Sequence, residues 1–137
     1  METIFGYFRK YPDYGILWLV HEKDDWRNVA QRSRSDSDHG SCKLTRRSMS
    51  GYATYIASED FETKMLIEGC ARMQPVVEPS STGAETYSAH ECLKRQAYPV
   101  LALLEETLQR EPLWIHEMDS DASRLAMSGK NRRAWST

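Results

Sequence analysis

The chain has little cysteine, no long apolar run and no secretory pattern, and each shortage excludes a class of protein. Its three cysteines are widely spaced among 137 residues, which argues against a disulfide framework and favours a reducing compartment. The longest apolar stretch, at 14–20, falls far short of the ~20 residues that a membrane span needs. The N-terminal residues lack the basic-then-apolar order of a signal peptide. We therefore expect an intracellular protein, cytoplasmic or nuclear, with no membrane partner.

Several familiar catalytic and binding motifs are also absent. The chain has no Gly-rich phosphate loop, no G-x-S-x-G elbow around a serine, and no cysteine or histidine spacing suited to zinc. Eighteen Lys and Arg stand against 20 Asp and Glu, so the formal net charge is −2 and any contact with nucleic acid must come from local clusters. Two basic clusters suit either a solvated surface or phosphate contact. They are Lys43, Arg46 and Arg47, and then Lys130, Arg132 and Arg133.

The length suits one domain, and the residue pattern predicts strands followed by a helix, a strand and a helix. A short helix is expected over 3–10. Strands are expected over Tyr14–Val20, weakly over 29–36, and over Tyr52–Ala57, Lys64–Ala71 and Leu113–Met118. This order predicts an α/β fold in which helices pack on a mixed sheet.

A long helix is expected to begin near PSST at 79–82. Its apolar face carries alanines and leucines at spacings of three and four, namely Ala89, Leu93, Ala97, Leu101, Leu104 and Leu108. Pro99 lies inside this stripe and should kink or split the helix. A final helix is expected after Asp119 or Ser120, with Gly129 at its end.

Three acids stand at the ends of different predicted elements. Asp36 follows the weak strand, Glu85 lies in the first turn of the long helix, and Asp119 closes the last strand. Glu85 is four residues before Ala89 and so lies on the helix face that meets the sheet, where an isolated charge is too costly. Carboxylates that converge from separate elements suit a pair of Mg²⁺ ions. We expect the three carboxylates to lie within about 8 Å of one another.

Each acid also has a simpler interpretation. Thr82 and Glu85 have the spacing of a helix capping box, in which Glu85 only satisfies backbone N–H groups. Asp119 suits a helix N-cap, and Asp36 with Asp38 suits a solvated turn. The residue pattern alone leaves these alternatives open.

Five sequence blocks resemble the ribonuclease H region of copia-type retrotransposon polyproteins, in that family's order. The block FGYFRKYPDYGILW (5–18) is similar to the segment that joins the reverse transcriptase to the ribonuclease H. The other four are SDSDHGSC (35–42), TRRSMSGY (45–52), MQPVVEPSSTGAETYSA (73–89) and IHEMDSDASRLA (115–126). The resemblance extends through most of the chain, from residue 5 to residue 126.

The resemblance implies a ribonuclease H-like fold that cuts the RNA strand of RNA–DNA hybrids with two Mg²⁺ ions. It places the family's catalytic, metal-binding acids on Asp36, Glu85 and Asp119, and it favours hybrid contact by the cluster Lys43, Arg46 and Arg47. It divides the chain into a remnant of the reverse transcriptase connection, 1–28, and an incomplete ribonuclease H-like domain, 29–137. The partner in the parent polyprotein would be the reverse transcriptase.

The family's last block, which carries a fourth acid, has no counterpart. No Asp or Glu follows Asp121, so we expect a domain truncated at its C-terminus, with weak cleavage or none. The alternatives are a catalytically dead remnant that binds nucleic acid, and a decayed fragment without a selected function. A cleavage assay separates the enzyme from both, and hybrid binding separates those two from each other.

Overall fold

The chain forms a four-stranded mixed sheet with helices packed on it. The computed structural model describes residues 4–25, 27–119 and 121. In chain order its elements are α1 (Ile4–Lys10), β1 (Val29–Asp38), β2 (Met49–Ser58), β3 (Lys64–Met73), α2 (Ser81–Cys92), a π-helical turn (Leu93–Ala97), α3 (Tyr98–Leu108) and β4 (Leu113–Met118). The strand order is β3-β2-β1-β4, in which β1 pairs antiparallel with β2 and parallel with β4. The expected α/β class with a mixed sheet is confirmed.

The weak strand of the sequence is one of the two inner strands of the sheet. β1 is held on both edges, which explains why a polar segment becomes a ten-residue strand. Its alternation buries Gln31, Ser33 and Ser35 on the face toward the helices. Arg32 and Arg34 point to the opposite face, here called the outer face, where both pair with the carboxylate of Glu117. The arginines therefore avoid the buried layer.

The stripe of small residues on the long helix packs against the sheet as expected. Ala89 and Ala97 are fully buried, and Leu93 is half-buried. The Cys92 Sγ atom lies 3.8 Å from the carbonyl oxygen of Arg34 and donates to it. Small side chains let the helix approach β1 closely, and this approach sets the position of the helix start relative to the end of β1.

Pro99 splits the long helix through a change in helical pitch. Proline has no N–H, and its ring would crowd the carbonyl of Arg95 in a regular α-helix. The preceding segment, Leu93–Ala97, winds as a π-helix, and the N–H of Tyr98 donates to the Leu93 carbonyl five residues back. The wider turn accommodates the proline in the first turn of α3.

The predicted strand over Tyr14–Val20 is wrong. Its aromatic and β-branched residues suit a strand, but this segment makes one isolated bridge, between Leu19 and Lys64 at the start of β3. The indole of Trp18 also donates to the Leu66 carbonyl at 3.1 Å. Composition alone does not make a strand when the backbone has one bridging partner.

The expected final helix, with Gly129 at its end, and the basic cluster at Lys130, Arg132 and Arg133 lie outside the described residues. Within the described ranges, no helix combines the length and the apolar character that crossing a membrane requires.

Gln31 should weaken the fold, because its amide is buried without partners. The side chain is 0% exposed, and neither Oε1 nor Nε2 has a hydrogen-bond partner among the described residues. We expect Gln31→Leu, a change of similar volume, to raise the free energy of unfolding by about 1–3 kcal/mol. Urea unfolding monitored by circular dichroism measures it.

The matched control is Gln74→Leu. Gln74 is 1% exposed, but its Nε2 donates to the hydroxyl of Ser50 and to the carbonyl of Ala84, both at 2.9 Å. This substitution should lower stability, since it leaves buried acceptors unsatisfied. If Gln31→Leu lowered stability as Gln74→Leu does, the amide of Gln31 would be hydrogen-bonded in the folded protein, and the prediction would be wrong.

His116 should make the fold less stable in mild acid. Its Nδ1 lies 2.8 Å from the Ser33 hydroxyl and its Nε2 lies 3.1 Å from the Ser35 hydroxyl. Burial lowers the pKa of His116, and the nearby charge of Glu117 opposes that shift. The unfolded chain therefore takes up the proton first, so this contribution to stability is complete above about pH 6.5 and is lost as pH falls below it.

We expect the stability of the wild type, measured relative to His116→Asn, to decrease from pH 7 to pH 5. The raised pKa of Glu85 acts in the opposite direction, but it is present in both proteins and cancels in the difference. A difference that is constant with pH would show that His116 titrates alike in the folded and unfolded chains. Urea unfolding across that pH range provides the measurement.

Candidate metal centre

Two of the three predicted acids are brought together by the pairing of β1 with β4. Ser35 lies opposite Met118 in the parallel register, so the residues that follow, Asp36 and Asp119, lie side by side. Asp36 is within β1 and pairs with Gly51 on the other edge. The interpretation of Asp36 as part of a solvated turn is therefore wrong. Both side chains are exposed, at the end of the sheet where β1 and β4 finish.

The third acid, Glu85, reaches the same place from α2, where it lies beyond the first turn and not within it as expected. Ser80 caps this helix, and its hydroxyl accepts from the N–H of Gly83 at 3.0 Å. The capping box of Thr82 and Glu85 is therefore wrong. Glu85 instead turns toward the sheet, where its Oε1 accepts from the backbone N–H of Ser37 at 3.3 Å.

The three carboxylates form one compact cluster. Each offers an oxygen, and these three oxygens all lie within 4.8 Å of one another. The expected proximity is therefore met. Glu85 is 7% exposed, whereas Asp36 and Asp119 open to solvent. The buried carboxylate of Glu85 and the two exposed carboxylates of Asp36 and Asp119 thus form a concave cluster of oxygen atoms, here called the cup.

The electrostatics of this cup favour a cation. Burial raises the pKa of Glu85, hydrogen bonding from Ser37 opposes that shift, and the charges of Asp119 and Asp36 raise the pKa further. The second oxygen of Glu85, Oε2, is buried without a hydrogen-bond partner among the described residues. A bound cation would satisfy that oxygen and offset the repulsion. The donor set, all carboxylate, suits a hard ion such as Mg²⁺, Mn²⁺ or Ca²⁺.

A groove of about 600 Å³ opens beside the cluster on the sheet. Asp36 and Asp119 line it together with Arg34 and Glu117. Sequence reasoning did not select Glu117 or assign Arg34 a place in the site, although each lies two residues before a predicted acid. The two-residue alternation of a strand would have placed them on the same face.

The basic cluster Lys43, Arg46 and Arg47 lies in the loop between β1 and β2, immediately after the end of β1 that carries Asp36. All three side chains are exposed. The loop is tied by the N–H of Arg46, which donates to the Cys42 carbonyl at 2.7 Å, and Arg46 takes a left-handed φ of 58°. The cluster is therefore at the same end of the sheet as the acids, and its role as a nucleic-acid contact stays a prediction.

Asp38, at the end of β1, takes no part in the cluster. Its Oδ1 accepts from the N–H of Met49, which closes the β1–β2 connection. The interpretation of Asp119 as an N-cap depends on a helix that lies outside the described residues.

Comparison of the chain with protein-family models, with curated proteins and with solved structures found no match. The site is therefore interpreted from its own geometry and chemistry.

Proposed function

We propose that the chain is a ribonuclease H-like domain of copia type that binds RNA–DNA hybrids, holds Mg²⁺ and cleaves the RNA strand slowly. One observation carries this proposal: three acids distant in sequence, on β1, on α2 and after β4, place oxygens within 4.8 Å of one another. These are the three residues that the resemblance assigns to metal binding. The mixed sheet with helices on one face agrees with the fold class that the resemblance implies.

The three acids would have different roles in such a site. Glu85 is held by the N–H of Ser37 and forms the fixed floor of the cup. Asp36 and Asp119 are exposed and face an open groove, so a phosphodiester can approach them. Two bound Mg²⁺ ions would supply activation of the attacking water and stabilisation of the leaving oxygen.

Binding of the hybrid would rest on backbone contact. Lys43, Arg46 and Arg47 provide exposed positive charge at the acid end of the sheet. Such charge suits phosphates, and a hybrid is recognised largely through its backbone and 2′-hydroxyl groups. This arrangement favours a duplex that lies across the end of β1.

A second candidate is a catalytically dead domain that still binds nucleic acid. The number of carboxylates favours it, since the cluster has three acids among the residues that the structure describes. With three acids, two metal ions share few negative ligands and one is poorly held. The rate of cleavage distinguishes the two candidates.

The deciding experiment incubates the purified chain with a labelled RNA–DNA hybrid, an RNA duplex and a DNA duplex, with Mg²⁺, Mn²⁺ or EDTA. We expect slow release of RNA fragments from the hybrid alone, dependent on the metal. Hybrid binding without cleavage would leave the dead domain as the function. Absence of both binding and cleavage would overturn the proposal in favour of a decayed fragment.

A further inference from the structure

A second pocket, distinct from the groove beside the acid cluster, lies on the outer face of the sheet. Its volume is about 360 Å³, within the range of small-ligand sites. Ile16, Leu17 and Leu66 form its apolar part, and Tyr55 adds an aromatic ring. Arg34, Lys64 and Phe61 complete the lining. The pocket thus combines apolar surface with two cations.

The cations are gathered around one aromatic ring. The guanidinium groups of Arg32 and Arg34 each lie 4.8 Å from the centre of the Phe61 ring, and the Lys64 Nζ lies 5.5 Å from it. Tyr55 meets the same ring edge-on, with centroids 5.6 Å apart. Cation–π attraction therefore holds three positive charges together beside Phe61, which lies in the connection between β2 and β3.

The charge of this cluster is incompletely balanced. Glu117 pairs with both Arg32 and Arg34. Within the described ranges, no carboxylate lies within ion-pair distance of Lys64, whose Nζ lies over the Phe61 ring. Three cations beside one paired carboxylate leave a net positive site, which favours an anionic ligand.

The pocket and the groove beside the acid cluster share one lining residue. Arg34 lines both cavities, and it precedes Asp36 by two residues on the same face of β1. A strand rises ~3.3 Å per residue, so the two side chains start about 7 Å apart. A ligand that reaches from the acids to the pocket needs a repeating anionic backbone and a flat apolar group.

We propose that this pocket holds an unpaired nucleotide that adjoins the bound hybrid, with its phosphate at Arg34 and Lys64 and its base against Tyr55 and Leu66. This inference rests on the proposed function, because it extends the same substrate along the outer face. Stacking on an aromatic side chain tolerates any base, so the pocket would add affinity without sequence preference.

The test measures binding of a fluorescein-labelled 12-base-pair RNA–DNA hybrid with a single-stranded overhang, and of a 12-nucleotide single strand, by anisotropy in EDTA across a range of salt concentrations. We expect Lys64→Gln to weaken binding about fivefold and to reduce the salt slope by about 1, as the loss of one phosphate contact predicts. Tyr55→Leu should weaken binding roughly fivefold and leave the salt slope unchanged, because it removes stacking and no charge.

Lys94→Gln is the control, since Lys94 is an exposed cation on the π-helical turn, which packs on the other face of the sheet. It should bind as the wild type does. Equal binding by Lys64→Gln, Tyr55→Leu and the wild type would overturn the inference, as would absence of binding by the wild type. Hybrid cleavage together with equal binding would leave the proposed function standing. Weakened binding by both variants without any cleavage would support the pocket and refute the nuclease.

Discussion

Glu85→Gln should stabilise the protein without metal and abolish its stabilisation by metal. The Glu85 side chain is 7% exposed, and it faces two other carboxylates. Glutamine has nearly the same shape, can still accept from the N–H of Ser37, and can donate its amide to Asp36 or Asp119. The change replaces repulsion with a hydrogen bond, so we expect a gain of about 1–2 kcal/mol in EDTA. In a chain of this size that corresponds to a rise of several degrees in Tm.

Metal should reverse this order. A ligand that binds the folded state at 100 times its Kd adds about 2.7 kcal/mol to the stability of the wild type. Glu85→Gln provides a neutral amide in place of the deepest carboxylate, so its Tm should change little with Mg²⁺ or Mn²⁺. The measurement is thermal unfolding of both proteins, each with EDTA and with metal at rising concentrations up to about 100 times the Kd.

Glu91→Gln is a close control for that result. Glu91 lies on the same helix and is also 7% exposed, but its carboxylate pairs with Arg95. This variant should lose stability with or without metal and should keep the full gain on metal addition. If Glu85→Gln retained the same metal-induced gain as the wild type, the cation would bind elsewhere and the cluster would be no metal centre.

Local sequence patterns predicted two of the strands, but pairing with neighbouring strands determined which of the other segments became strands. Tyr52–Ala57 and Lys64–Ala71 are strands as expected, and pairing lengthens them into β2 and β3. Tyr14–Val20 has the same kind of composition, yet it makes a single bridge and forms no strand. The polar segment 29–36 forms an inner strand because β2 and β4 pair with both of its edges. Strand formation therefore depended on backbone partners, which composition does not reveal.

The candidate site shows the same division between local pattern and tertiary contact. The positions of Asp36, Glu85 and Asp119 at the ends of elements could be predicted from the order of the residues. The direction of Glu85 was left between two alternatives: its spacing from Ala89 placed it toward the sheet, whereas a cap at Thr82 would have turned the carboxylate back to its own helix. The structure caps the helix at Ser80 instead. The N–H of Ser37 draws Glu85 to the sheet, and a backbone donor of this kind leaves no mark in the sequence.

Asp36→Asn should remove whatever cleavage of an RNA–DNA hybrid the wild type shows. Asp36 is exposed at the mouth of the cup, and its oxygen lies within 4.8 Å of those of Glu85 and Asp119. An amide is a poorer ligand for Mg²⁺ than a carboxylate, and among the described residues the cluster would keep two carboxylates. We expect a loss of about 100-fold or more, which takes a slow activity below detection.

The matched variant is Asp38→Asn, on the same face of β1 two residues later. Asp38 accepts from the N–H of Met49, and an asparagine oxygen can accept the same bond, so both fold and cleavage should be kept. Asp36→Asn should be at least as stable as the wild type in EDTA, because it relieves repulsion within the cluster; loss of cleavage then cannot be blamed on unfolding. Robust cleavage that survives Asp36→Asn would place the metal site elsewhere or reveal a contaminating nuclease. In either case Asp36 would lose its assignment as a metal ligand.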